Sequence, residues 1–390
     1  MKTELAYAII TPYTIRKSRT GAVLSRLLGL VSARLVATQM IALTKAMAAR
    51  YAESIMPGID AEDEKLRATI RTYIRESMAP SPDGRRHRAL MLVFCGEDAQ
   101  AELSSVVGSL TISADTGETI RNTYGDLVYN ADGGIRFFEP AALVSDRISD
   151  NREEIKMWLD YLEDQSPLLE KTCEYEHPEQ VEQTLVLIKP DSWRQRSARP
   201  GAIVDMFSRT GLRIIGCKLI CMSVAQALEF YGPVKNALCK RLAPGMGEKA
   251  KGILEKELGL KLPDGVEKDL AESVGVPYAC GQFERIIEFM SGRKPSNCPP
   301  EEMENPSGVR ILGLVYEGEG AVDKIRAVLG PTDPTKAPDG TVRREFGSDV
   351  MVNTAHASDS PENAQREIGI VKMRESNFVP AVKQALEECK

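Results

Sequence analysis

The segment Thr184-Leu185-Val186-Leu187-Ile188-Lys189-Pro190-Asp191 decides the fold of this chain. Its apolar run predicts a short buried strand that ends in Lys-Pro-Asp. A second segment near the start of the chain, Ala6-Tyr7-Ala8-Ile9-Ile10-Thr11-Pro12, has the same form. Two such strands in a chain of 390 residues indicate two related halves, and a chain of this length favours two or three domains.

Further blocks repeat in the same order along the chain. A basic loop and a Gly-Ala pair follow each apolar run, and the spacing from that glycine to a tyrosine is the same, from Gly21 to Tyr51 and from Gly201 to Tyr231. The other matched blocks are Leu92–Glu97 with Leu314–Glu319, Thr119–Arg121 with Thr341–Arg343, Ala142–Asp146 with Ala355–Asp359, and Glu154-Ile155 with Glu367-Ile368. Several independent blocks in one order indicate a tandem duplication.

The pattern inside the second copy alternates between strands and helices. The predicted strands are 186–188, 212–222 and 309–316. One predicted helix starts over 201–210, and two more span 225–231 and 321–329. This βαββαβ pattern predicts an α+β fold with two tandem ferredoxin-like domains. The predicted organisation is a first copy at 1–160, an acidic linker at 161–181, and a second copy at 182–390 with insertions at about 232–282 and 293–308.

Composition excludes several classes of partner. The net charge of −6 and the pI near 5.5 argue against a general polyanion binder, so no nucleic-acid partner is expected. The apolar run Val23–Leu43 contains Arg26 and Arg34 and cannot span a bilayer, so no membrane partner is expected. Eight cysteines without zinc-type spacing indicate reduced thiols and a cytoplasmic protein.

One of the three histidines, His356, lies in the polar stretch Asn353–Ser360, with Glu367 eleven residues further on. The segment Gly340-Thr341-Val342-Arg343 lies just upstream. Together with Lys189-Pro190-Asp191, these segments resemble the two signature regions of nucleoside diphosphate kinases. The resemblance covers nearly the whole chain as two copies and is specific over 184–231 and 309–368. It implies the ferredoxin-like fold and phosphoryl transfer through a phosphohistidine.

The residue types in these segments suit phosphate chemistry. The chain has no GxxxxGK[ST] loop, so phosphate must be bound by side chains, and the candidates are Lys189, Arg326 and Arg343. Imidazole is a competent phosphoryl acceptor near neutral pH. For one ring nitrogen to attack, the other should carry the proton and donate a hydrogen bond to an acceptor.

The resemblance assigns a role to each matching position. It implies that Glu367 orients His356, that Ser358 hydrogen-bonds near the histidine, and that Tyr231 lies beside the histidine and Lys189. Thr332 would contact phosphate, and Asn353 would bind the ribose hydroxyl region together with Lys189. Phe283 and Val350 would lie on the two faces of the base, although burial in a core is the alternative for both.

The two copies differ where the chemistry would be. Four site positions of the second copy are replaced in the first: Lys189 by Thr11, Asn353 by Pro140, His356 by Leu143, and Arg326 by Ser104. Among the cationic positions, Arg343 alone is retained, as Arg121. A phosphoryl-transfer site without its nucleophile and most of its cations cannot work, so the first copy is predicted to be inactive.

The predicted function is therefore a nucleoside diphosphate kinase. ATP would phosphorylate His356 and a nucleoside diphosphate would then take the phosphoryl group, in a ping-pong cycle with Mg²⁺ held mainly by the nucleotide phosphates. The alternatives are a non-catalytic regulatory or scaffold protein of the same fold, and a protein phosphotransferase. The insertion at 232–282 would form a modified lid or a partner surface. The protein would be a homo-oligomer, or its two copies would pair as an intrachain pseudo-dimer.

Overall fold

The computed structural model of the protein describes residues 3–110, 117–145, 148–306 and 308–388. Asp146, from the repeated block, and residue 307, within the predicted insertion at 293–308, lie outside the described residues. The strands are β1 (Thr3–Ile10), β2 (Arg34–Ala42), β3 (Arg88–Glu97), β4 (Asp126–Tyr129), β5 (Ile135–Glu139), β6 (Ala142–Val144), β7 (Val181–Ile188), β8 (Arg213–Ile220), β9 (Ile311–Glu319) and β10 (Ala355–Ala357).

The α-helices alternate with these strands. They are α1 (Pro12–Arg16), α2 (Thr20–Leu30), α3 (Lys45–Ser54), α4 (Ala61–Tyr73), α5 (Ala99–Val107), α6 (Ile120–Tyr124), α7 (Ile148–Leu162), α8 (Arg199–Ser208), α9 (Val224–Leu258), α10 (Val266–Leu270), α11 (Val276–Ser291), α12 (Ala321–Leu329), α13 (Val342–Phe346), α14 (Pro361–Ile370) and α15 (Phe378–Glu388). Short π-helices at Ile74–Met78 and Ala271–Gly275 and several 3-10 turns complete the regular structure.

Each copy contributes four strands with the same connectivity. The second copy has the order β10-β7-β9-β8, and the first copy has the order β6-β1-β3-β2. Numbered within its own copy, each order is 4-1-3-2, and the central pairs β1 with β3 and β7 with β9 are antiparallel. This is the ferredoxin-like arrangement, which confirms the predicted fold class. The first copy adds a hairpin of β4 and β5 before its last strand.

The two copies join into one eight-stranded sheet through their second strands. Gln39 of β2 pairs with Lys218 of β8 in antiparallel orientation. Above this seam α2 packs on α8 at very close range, since a Cβ on Gly21 would lie 2.7 Å from the Cβ of Asp205. A Cβ on Gly201 would likewise lie 2.6 Å from the Cα of Ser25. The paired Gly-Ala motifs of the sequence are thus explained by helix contact between the copies.

The carboxyl-terminal helix of the second copy packs on the first copy. Phe378 and Val382 of α15 are buried in the same apolar cluster as Trp158 of α7 and Tyr7 of β1. Residues up to 219 and from 312 onward therefore form one compact unit, which contains both copies of the sheet. Ile220–Ile311 form a second compact unit, made of α9, α10 and α11.

Most predicted elements of the second copy are confirmed within a few residues. The predicted strands correspond to β7, β8 and β9, and α12 has the predicted bounds. The helix predicted through Ala225 to Tyr231 was wrong about its end, because α9 continues through Pro233 and Pro244 to Leu258. Within the described residues, no helix is both long and apolar enough to cross a lipid bilayer.

Candidate active site

Strands β7 and β10 position the candidate residues at the edge of the second copy's sheet. His356 pairs with Leu187, and residues opposite each other in a ladder share one face of the sheet. Because side chains alternate along a strand, Lys189 lies on that same face, just beyond the end of β7. The backbone amide of Lys189 donates to the carbonyl of Thr354 at 2.9 Å, so the ladder holds the two candidate segments side by side.

A buried carboxylate holds the imidazole of His356. The Oε2 atom of Glu367 lies 2.9 Å from His356 Nε2 and accepts a hydrogen bond from Ser358 Oγ at 2.6 Å. Glu367 and Ser358 are buried, whereas 21% of the His356 side chain is exposed. A neutral imidazole that donates from Nε2 carries its lone pair on Nδ1, so Nδ1 is the nucleophilic nitrogen in this arrangement.

Helix α14 and strand β7 fix the two partners of His356. Ser360 caps α14 by accepting a hydrogen bond from the Asn363 amide at 3.1 Å, and the buried side of this helix carries Glu367. Ser358 is bound to β7 through its amide, which donates to the carbonyl of Leu185 at 3.1 Å. The carboxylate and the hydroxyl are therefore both held by regular secondary structure.

Lys189 is a buried cation beside this histidine face. Its Nζ donates to Asn353 Oδ1 at 2.6 Å. Burial lowers the pKa of Lys189 to about 7, and the positive charge of Arg343 lowers it further, while Asp191 and Asp349 act in the opposite direction. A phosphate group would favour the charged ammonium and reverse this shift, which is the behaviour expected of a phosphate-binding lysine.

Asn353 and Arg343 tie the surrounding loops together. Asn353 Nδ2 donates to the carbonyl oxygens of Thr332 at 3.0 Å and Val350 at 2.9 Å. Arg343 donates to the carbonyl of Gly330 at 2.9 Å and to that of Ala355 at 3.1 Å. Gly330 ends α12 with a positive φ of 84°, so Arg343 braces the turn after α12 against β10.

Arg199 and Asp191 form a supporting ion pair for which the sequence analysis assigned no role. Arg199 donates to Asp191 Oδ2 and to the carbonyl of Phe346, both at 2.7 Å, and to Thr354 Oγ1 at 3.1 Å. Burial raises the pKa of Asp191, and the charge of Arg199 opposes that shift. The signal in the sequence was Asp191 itself, because a carboxylate within a buried motif requires a cationic partner.

The remaining predicted residues fall into two groups. Arg326 and Thr332 are exposed, and Val350 is 47% exposed, which excludes core burial for Val350. Tyr231 of α9 and Phe283 of α11 are buried and belong to the second compact unit. The structure thus brings together His356, Glu367, Ser358, Lys189, Asn353 and Arg343 with the backbone of Thr332 and Val350. The roles of Tyr231 and Phe283 stay predictions.

The first copy shows how the same framework survives without a histidine. Leu143 occupies the His356 position, and Glu154 accepts hydrogen bonds from the Tyr7 hydroxyl at 2.9 Å and from Ser54 Oγ at 3.1 Å. Burial, followed by the charge of Glu154, raises the pKa of Tyr7 well above its usual range. The carboxylate is therefore retained in the first copy by new neutral donors.

Other features occur in both copies and therefore belong to the fold. Arg121 donates to the carbonyls of Gly108 and Ala142, which correspond to the two acceptors of Arg343. Ala141 and Thr354 occupy equivalent positions and both have positive φ angles, 59° and 75°. Because these contacts and this backbone strain occur in both copies, with His356 in one and Leu143 in the other, they are structural requirements of the turn before the last strand.

At the Lys189 position the first copy has a buried acidic group, Glu139, instead of a cation. Thr11 donates to the buried Glu139 at 2.7 Å, and Tyr73 donates to the same oxygen at 2.9 Å. Burial raises the pKa of Glu139 to about 7, although both hydrogen bonds oppose the shift. A buried carboxyl group here would repel phosphate.

Among the residues that the structure describes, no cluster of three or more His, Cys, Asp or Glu side chains is arranged to hold a metal ion.

Comparison with known proteins identifies the family. The family model for nucleoside diphosphate kinase matches residues 182–239 and 300–376. A nucleoside diphosphate kinase of Bdellovibrio bacteriovorus is 31% identical over 190 residues, which are 49% of this chain and 92% of that protein. One of Cereibacter sphaeroides is 33% identical over 188 residues, 48% of this chain and 91% of that protein. The chain belongs to the nucleoside diphosphate kinase family, as the resemblance indicated.

Solved structures of the same family are also similar to this chain. The nucleoside diphosphate kinase of Aquifex aeolicus has 26% sequence identity and a TM-score of 0.31, and it matches 50% of this chain and 96% of its own. The enzyme of Pyrobaculum aerophilum has 26% identity and a TM-score of 0.33, with coverages of 49% and 94%.

Proposed function

We propose that the second copy is an active nucleoside diphosphate kinase that carries the phosphoryl group on His356. The observation that supports this proposal most strongly is the buried Glu367 carboxylate, which lies 2.9 Å from His356 Nε2 and directs the lone pair to Nδ1. Ser358 donates to the same oxygen and keeps the carboxylate in place. A surface histidine would not require a buried carboxylate that is hydrogen-bonded both to it and to a second side chain.

The cycle consists of two in-line transfers at the same nitrogen. In the first, Nδ1 of His356 attacks the γ-phosphorus of ATP, the bond to the bridging oxygen breaks, and ADP leaves. The imidazole ring gains positive charge in this step, and Glu367 stabilises that charge through Nε2. In the second, the terminal oxygen of a nucleoside diphosphate attacks the phosphohistidine and the neutral imidazole is regenerated.

The cations of the site hold the nucleotide phosphates in this proposal. Lys189 reaches the transferred phosphoryl group from the same face of the sheet as His356. Arg343, Arg326 and Thr332 contact the phosphates, and Asn353 contacts the ribose with Lys189. Val350 lies against the base, and contact with the face of the base accepts any base because every base offers a π-face.

Mg²⁺ enters as part of the substrate in this proposal. Phosphate oxygens are hard ligands that suit Mg²⁺, and the ion would bridge the β and γ oxygens of ATP and neutralise their charge.

The inactive first copy serves as a scaffold that pairs with the second copy where other family members would use a second subunit. The predicted location is the cytoplasm.

Incubation of the purified protein with γ-labelled ATP and Mg²⁺ tests the proposal. The wild type should acquire an acid-labile, base-stable phosphate that His356→Ala lacks. His177→Ala is the matched control, because 51% of the His177 side chain is exposed and it lies outside the site. Addition of GDP or CDP should then remove the label and yield the labelled triphosphate.

Each outcome separates the proposal from one alternative. An unlabelled wild-type protein would mean that the chain is a non-catalytic regulatory or scaffold protein of this fold. A label on His356 that passes to a protein substrate but to neither GDP nor CDP would mean a protein phosphotransferase. A label that persists in His356→Ala would place the phosphorylated residue elsewhere.

A further inference from the structure

Within the second compact unit, α9 packs against the run formed by α10, the π-helix Ala271–Gly275 and α11. Lys251 forms an ion pair with Glu267 at 3.0 Å, at the start of this run. One turn earlier on α9, a Cβ on Gly247 would lie 2.7 Å from the amide nitrogen of Ala271. Position 251 thus faces position 267, and position 247 faces position 271, so the facing run is antiparallel to α9.

The same register continues beyond these contacts. A Cβ on Gly275 would lie 2.8 Å from the Cα of Ala243, so the two backbones nearly touch at this level. Two turns further, Lys235 Nζ lies 5.8 Å from the centre of the Phe283 ring. The level between these two contacts is occupied by Cys239 on α9 and by Ala279 and Cys280 on α11.

Cys239 and Cys280 therefore lie at neighbouring positions of the helix pair, one turn beyond the close contact of Ala243 with Gly275. Both are free and partly exposed, so small oxidants can reach them. Burial, followed by the charge and the hydrogen bond of Cys280, raises the pKa of the Cys239 thiol, whereas Lys235 lowers it. That direction is expected for two thiols that share one site, because a second thiolate would face the first.

We propose that Cys239 and Cys280 form a redox-sensitive dithiol that a hydroperoxide oxidises reversibly to a disulfide between α9 and α11. One thiolate attacks the peroxide oxygen, the O–O bond breaks, and a sulfenic acid and hydroxide form. The second thiolate then attacks the sulfenic sulfur and displaces hydroxide, which leaves the S–S bond. Overall, two thiols and one hydrogen peroxide yield one disulfide and two molecules of water.

The fold favours this bond over other pairings. A disulfide requires Cα atoms about 4.4–6.8 Å apart, and the contact of Ala243 with Gly275, one turn away, holds the helix backbones in close proximity. The bond would close the loop between positions 239 and 280 and fix the spacing of α9 and α11. The proposal does not depend on phosphoryl transfer, since it concerns thiols of the second unit alone.

Peptide mapping after peroxide treatment tests the proposal. The full-length protein is treated with hydrogen peroxide, alkylated, digested with trypsin without reduction and analysed by mass spectrometry. The peptides 236–240 and 269–285 should appear as one cross-linked species that dithiothreitol separates. This species should form at least about tenfold faster than any other cysteine pair, because its thiols already lie at neighbouring positions of the helix pair.

Substitutions and unfolding provide the controls. Cys239→Ser and Cys280→Ser should each abolish the cross-linked species, whereas Cys298→Ser in the same unit should leave it unchanged. The inference is overturned if peroxide gives sulfinic acids or other pairings without this species. It is also overturned if the species forms equally fast in urea, since the fold would then play no part.

Discussion

Replacement of Glu367 by glutamine removes the negative charge that faces His356 and weakens the ion pair with Arg366, at 3.6 Å. Glu367 is 5% exposed, and its Oε2 accepts from Ser358 at 2.6 Å and lies 2.9 Å from His356 Nε2. A hydrogen bond to a charged group contributes about 1.5–3 kcal/mol net. If that energy stabilises the positive ring in the transition state, Glu367→Gln should slow phosphorylation of His356 by about 10- to 150-fold.

Rapid-quench measurement of a single turnover with γ-labelled ATP determines this rate without interference from product release. The matched control is Glu154→Gln in the first copy, where the carboxylate is also buried but has Tyr7 and Ser54 as donors. That variant should lose stability and keep the wild-type rate. A wild-type rate in Glu367→Gln, with the protein folded by circular dichroism, would refute the orienting role of the carboxylate.

Further predictions concern Lys189, the seam between the copies, and Arg121. Because the pKa of Lys189 is lowered to about 7, this side chain is mostly neutral at pH 8 in the free protein, and nucleotide binding should be accompanied by the uptake of about one proton. Calorimetry in two buffers of different ionisation enthalpy measures this uptake, which Lys189→Met should abolish. Gly201→Ala places a methyl group 2.6 Å from the Ser25 Cα and should lower the free energy of unfolding, measured thermally, by about 1–3 kcal/mol. Gly29→Ala should lower it less, because the added methyl group would lie 3.3 Å from its nearest neighbour, the Ala198 amide nitrogen. Arg121→Ala leaves buried carbonyls unpaired and should cost about 2–4 kcal/mol by urea unfolding without reducing the label on His356.

Strand positions were predictable because they depend on local apolar runs. The runs before Lys189 and after Val309 were identified as strands, and β7 and β9 lie there. The length of α9 was not predictable in this way, because Pro233 and Pro244 are usually read as helix breaks. Contacts distant in sequence, such as Gly247 against Ala271, accompany the continuation of this helix.

For the site, residue identity was predictable and residue function was less so. The motif segments indicated His356 and Lys189, and β7 and β10 place both on one face of the sheet. Arg343 is retained in the first copy as Arg121 because both arginines donate to equivalent carbonyls, those of Gly330 and Gly108, which the sequence alone does not show. Hydrogen bonds between residues more than a hundred positions apart, such as Tyr7 with Glu154, leave no local pattern in a single sequence.

The contact between α2 and α8 has two-fold symmetry although one chain forms both sides. Gly201 lies 180 residues after Gly21, and Asp205 lies 180 residues after Ser25. Gly21 contacts Asp205, and Gly201 contacts Ser25, so the two contacts are equivalent. Such self-complementary contacts are typical of homodimers. Fusion of the two halves makes their association independent of protein concentration. Without the first half, β8 would be an unpaired sheet edge and the face of α8 that packs on α2 would be exposed.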